Sequence, residues 1–120
     1  MSLKRMVVEF GMGTDLQGQD YTKASVRALK DALWHNSLTV AGAFGVPRES
    51  MQIAVTIGVA EPDRVDRDAV AAVLPYGQAT VTVEQGGLDI PSEDGSKVTV
   101  VANAAAVVFL DLPDSVSSAG

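Results

Sequence analysis

The segment GMGTDLQGQD, residues 11–20, gathers the polar groups best placed to do chemistry. It carries two carboxylates, Asp15 and Asp20, with Gln17 and Gln19 between them, and Gly11, Gly13 and Gly18, which let a backbone approach a ligand closely. It follows an apolar run and precedes a helical pattern. In α/β folds ligands bind at the carboxyl ends of strands, often against a helix N-terminus. Gly11, Gly13, Asp15, Gln17, Gly18, Asp20 and Lys23 are therefore the candidate binding residues, a polar cradle for a small hydrogen-bonding ligand. The plainer reading of the same residues is structural: Asp20 caps the helix and Asp15 satisfies N–H groups in a glycine-rich turn. A dinucleotide fingerprint is excluded because its third glycine would fall on Leu16, and the Gly-Lys-Ser/Thr of a P-loop is absent. A cation is the weaker reading of the same cradle, because only two carboxylates and no nearby His or Cys are present, so no metal site is assigned.

The catalytic candidates are Lys23, Ser92 and Asp15. Lys23, in the first helical turn, could clamp an anion or act as a base of lowered pKa. It also reads as an ordinary surface lysine. Ser92, in DIPSEDG, lacks a partner histidine, so no Ser-His-Asp triad assembles; a Ser92–Lys23 pair across subunits is the weaker alternative. His35, the single histidine, reads as a capping or interface residue at a helix end. Asn103 lies in an apolar run and needs a hydrogen-bonding partner wherever it is buried.

These groups are positioned by alternating elements. Residues 4–10, 51–60, 78–85 and 97–111 read as strands, and residues 21–37 and 64–74 as helices. Val26, Leu29 and Leu33 form the apolar stripe of the first helix, with Ala24, Ala28 and Ala32 beside it. Residues 38–50 and 86–96 read as connections, and residues 113–120 as a flexible tail after a single domain spanning 1–112. The order β-α-β-α-β-β and a last strand apolar on both faces predict an α+β fold. It has a single-layer mixed four-stranded sheet of order 1-4-2-3, with both helices on one face. The other face is apolar too. An uncovered face of that size predicts a homo-oligomer, unless residues 38–50 fold over it.

With 120 residues, nine basic against fifteen acidic groups, net charge −6, pI near 4.5 and mean hydropathy +0.18, the chain suits one globular domain. Acidity argues against nucleic acid and anionic membranes as partners. No cysteine, no cofactor motif and no signal-peptide pattern are present, so no cofactor is implied and the cytoplasm is the expected location.

The run GMGTDLQGQDYTKASVRALKDAL, together with PYG and GGL, resembles an uncharacterised family, the conserved hypothetical Lin family, with the signature GxGxDxHG. Gly11, Gly13, Asp15 and Gly18 fall on the signature, and Gln19, Asp20, Thr22 and Lys23 on its continuation. Gln17 stands where the signature has His, which removes a titratable group there. The resemblance implies no reaction. The element order is also similar to the chorismate mutase and YjgF type of fold and to one repeat of the ring-opening amidohydrolases. That likeness implies a trimer, or a multiple of three, with sites at subunit interfaces.

Two functions follow as expectations. The first is a small homo-oligomer binding a small polar metabolite, such as a cyclic amide or carboxylate, between subunits, including an amidohydrolase-like enzyme. The second is a non-catalytic structural or regulatory oligomer acting through protein partners.

Overall fold

The computed structural model describes residues 2–33 and 39–113. The elements are strand β1 (Ser2–Asp15), helix α1 (Tyr21–Leu33), helix α2 (Val40–Ala43), strand β2 (Gln52–Val59), helix α3 (Arg67–Ala71), and strands β3 (Gln78–Gln85), β4 (Leu88–Pro91) and β5 (Val98–Leu112). Short 3-10 turns at Arg48–Ser50 and Pro62–Arg64 precede β2 and α3. The fold is α+β, with one mixed five-stranded sheet and few helices. The expected helix end at 34–37, His35 and the tail from 114 onward lie outside the described residues.

β5 is central because it is apolar on both faces. It runs antiparallel to β1 on one side and to β2 on the other, and β3 continues parallel to β2, giving β1-β5-β2-β3. The expected four-stranded order therefore needs one correction. Part of the expected 86–96 connection is strand β4, which pairs with β5. Val100 and Val101 are paired with Asp15 and Thr14 of β1 on one edge and with Asp89 and Leu88 of β4 on the other. β4 thus lies on the β2 side of β5. A four-residue strand ending in proline leaves almost no alternation to read.

β1 is longer than expected and absorbs residues 11–15 of the expected loop. The reason lies in α1. A Cβ on Gly11 would sit 2.3 Å from the carbonyl oxygen of Ala28 and the nitrogen of Ala32, and one on Gly13 would sit 2.3 Å from the nitrogen of Ala28. The two glycines are flat ground for the stripe Ala24, Ala28 and Ala32, each fully buried. That stripe, with Leu29, is the packed face of α1, while Val26 and Leu33 are only partly buried. Burying a side chain such as Leu29 contributes roughly 1.5–3 kcal/mol. The second expected helix is shorter. Asp66 caps it by accepting from the N–H groups of Asp68 and Ala69, so α3 begins only at Arg67.

α1 packs across β1, β5 and β2, and α3 packs on α1 and β3, so both helices cover one face. On that face Val100, Ala102, Ala104, Ala106, Val108, Leu110 and Leu112 of β5 are buried with Ile53, Val55, Ile57 and Val59 of β2. The odd-numbered residues of β5 point the other way. There the cross-strand rows are Val8–Val107–Ala54–Thr80, Phe10–Ala105–Thr56–Thr82 and Met12–Asn103–Gly58–Glu84. A register shift between Arg5 and Val7 lets Leu3 and Arg5 share this face with Val8. Phe10 is 70% exposed, so the described part of residues 38–50 does not cover the face, and Ala41 of that segment is buried in the core. Among the described residues no helix is long and apolar enough to cross a membrane.

Candidate functional site

β1, β2 and β3 run in one direction, so their carboxyl ends share one edge of the sheet, beside the N-terminus of α1. At the end of β1 the chain turns through residues 16–20. Asp15, 6% exposed, holds this turn: its Oδ2 accepts from the N–H of Gly18 at 3.1 Å and of Asp20 at 2.9 Å. Gly18 passes close to the carboxylate, where a Cβ would sit 3.0 Å from Oδ2. Positive φ belongs to Gln19 (48°) and not to Gly11, Gly13 or Gly18. Asp20 accepts from the N–H of Lys23 at 2.9 Å and caps α1. Arg27, one turn after Lys23, donates to the carbonyl of Thr14 at 2.7 Å and lies 3.9 Å from Asp15 Oδ1.

Together Asp15, Leu16, Gln17, Gly18, Asp20, Lys23 and Arg27 line an open cleft of about 410 Å³. The structure thus brings Asp15, Gln17, Gly18, Asp20 and Lys23 to one place. Gly11 and Gly13 lie apart from it, under α1, because their faces are taken by the alanine stripe. Ser92 is also elsewhere. It sits in the turn between β4 and β5, where its hydroxyl donates to Asp94 at 2.8 Å and accepts from the N–H of Lys97. The Ser96 and Ser92 hydrogen bonds hold the Asp94 carboxyl down at about 2. Asn103 is exposed on the helix-free face between Met12 and Gly58.

A second cluster adjoins the cleft, and its central residues Tyr21, Glu61 and Asp89 are not among the sequence-derived candidates. Tyr21, 1% exposed, opens α1, and its hydroxyl meets Glu61 Oε2 at 2.8 Å and Asp89 Oδ2. A hydroxyl has one proton, so it donates to one carboxylate at a time. Gln19 Nε2 donates to the same hydroxyl at 3.2 Å, and the Arg64 guanidinium lies over the ring, 4.9 Å from its centroid. Among the described residues, Asp89 Oδ1 is buried with no hydrogen-bonding partner. Burial foremost, then the hydrogen bond to Asp89, pushes the Tyr21 hydroxyl up to about 12. Asp89 could be found only after β4 was, because its pairing with Val100 turns it toward the helix side. Glu61, just past the end of β2, was the one legible signal. The two carboxylates face a neutral hydroxyl, and among the described residues no group of three or more metal-ligating side chains forms.

The family model described as a conserved hypothetical protein, Lin0512_fam, matches residues 5–108. The chain belongs to the Lin0512 family. The match spans β1 through most of β5, including the cleft and the Tyr21 cluster. No curated protein matches the chain. Among solved structures the Lin0512 chain is similar to an FtsZ-like protein of unknown function from Nostoc punctiforme. The two are 35% identical, with a TM-score of 0.81, over 93% of this chain and 99% of the other.

Proposed function

We propose that this protein is a small homo-oligomer that binds a small polar metabolite in the cleft between the end of β1 and the start of α1, at a subunit boundary. The observation that carries the reading is the position of Leu16. This side chain is 64% exposed, it lines the cleft, and its carbonyl accepts from the hydroxyl of Thr99, a residue of the helix-free face. A second copy covering that face would wall the cleft and turn an open groove into a pocket.

The groups in the cleft favour binding over acid–base work. Asp15 is committed to two backbone N–H groups, and Ser92 to its own turn. Lys23 has no hydrogen-bond or ion-pair partner for its ammonium among the described residues, and Gln17 is exposed. They suit a ligand with a carboxylate for Lys23 and an amide-like edge for Gln17.

The test is a thermal-shift screen of small carboxylates and cyclic amides, run with the intact protein and with Lys23→Met. A ligand of the native state raises apparent stability by mass action. The expected result is a concentration-dependent rise that Lys23→Met removes while leaving the ligand-free transition unchanged. A rise that persists in Lys23→Met places binding elsewhere, and no rise with any of these compounds at millimolar concentration ends the reading.

A further inference from the structure

The helix-free face has a shape as well as an apolar character. Leu3, Val8, Phe10, Met12, Leu88 and Ile90 are 38% to 70% exposed. Their register places all six on this side of the sheet. Together they expose roughly 600 Å², at the upper end of the largest patch of a typical monomer and approaching the ~800 Å² that each partner gives to a stable interface. Ala105, Val107 and Phe109, half-buried between them, extend the same surface. Of the charged residues on these rows, Asp111 and Glu84 lie at the margins, while Arg5, exposed at the β1 edge, sits between Leu3 and Val8 and opposite Phe109.

The patch also contains a hollow. Leu3, Ala54, Thr80 and Phe109 are among the residues surrounding a depression of about 190 Å³, with the small Ala54 between longer neighbours. A cavity of about 150 Å³ is enough for a benzene ring. Phe10 stands out of the same face at 70% exposure.

We infer that two copies of this chain stack their helix-free sheet faces about a two-fold axis, with Phe10 of each copy seated in the hollow over Ala54 of the other. A two-fold contact makes knob and hollow serve both ways, so one side chain anchors the interface twice. Sheets stacked face to face sit about 10 Å apart, a gap that phenylalanine and methionine side chains fill. The inference rests on the homo-oligomer reading above and adds the surface, the symmetry and the anchor.

Sedimentation velocity at micromolar concentration tests it with the full chain, Phe10→Glu, Ala54→Trp and Lys30→Glu, the last on the exposed side of α1. Far-UV circular dichroism checks that each is folded; positions 10, 54 and 30 are all exposed, so folding is expected to persist. The unaltered protein should sediment as an even multiple of the protomer. Phe10→Glu puts a charge in the hollow and Ala54→Trp fills it, so each should at least halve the mass, while Lys30→Glu leaves it intact. An odd multiple such as a trimer, or an unchanged mass in either Phe10→Glu or Ala54→Trp, overturns this inference and leaves the oligomer reading standing. A monomeric unaltered protein overturns both.

Discussion

The hydroxyl of Tyr21 at the start of α1 meets the carboxylate of Asp89 on β4, 68 residues further along the chain. This contact and the one to Glu61 tie three elements together at one end of the sheet: the first helix, the exit of β2 and the short strand β4. Tyr21→Phe keeps the ring and removes the proton both carboxylates face. Leaving a buried acceptor unsatisfied costs roughly 1–3 kcal/mol, so the urea midpoint should fall by that equivalent with an unchanged slope.

The same hydroxyl predicts an alkaline limit. Its pKa is raised from 10.0 to about 12, so the folded state holds the proton more tightly than the unfolded chain. Below pH 10 both states are protonated and the full contribution is present. Between pH 10 and about 12 the unfolded chain ionises first and stability falls. Equilibrium unfolding across that window should show the decline, and Tyr21→Phe should lack this component. The acid side works in the opposite sense. Asp94 is lowered from 3.8 to about 2, so its contribution is present above pH 3.8 and is lost as pH falls through about 2.

Gly11 and Gly13 should not tolerate a methyl group. Each would place a Cβ 2.3 Å from the backbone of α1, which cannot give as a flexible side chain can. Overpacking ordinarily costs about 1–3 kcal/mol, and here the whole helix must move, so Gly13→Ala should cost at least about 3 kcal/mol. Gly42→Ala, with nothing within 4 Å of its added Cβ, is the control and should leave the denaturation midpoint unchanged or raise it.

Asp15 and Lys23 should separate by measurement. Asp15→Ala releases the N–H groups of Gly18 and Asp20, so it should lower stability by about 1–3 kcal/mol even without ligand. Lys23→Met should leave the ligand-free stability within about 0.5 kcal/mol. Asp66→Ala, which removes the cap of α3, should cost about 1 kcal/mol and leave ligand response alone.

The alternation along residues 78–85 and the double-sided apolar run that became β5 were enough to place the long strands, the central position of β5 and the helix-free face. Those are local patterns: period two marks a strand, and an apolar run without a polar face must lie between neighbours. The fate of GMGTDLQGQD was not local. The composition suggests a loop, yet Gly11 and Gly13 are strand, because what they contact is the alanine stripe of a helix that the sequence alone cannot dock. Asp15 and Asp20 take the structural roles open to them from the start, while β4 and the meeting of Tyr21, Glu61 and Asp89 depend on register between segments dozens of residues apart. Backbone preference and hydrophobic period are written residue by residue. Which faces meet, and which side chains they bring together, is decided only when the chain closes on itself.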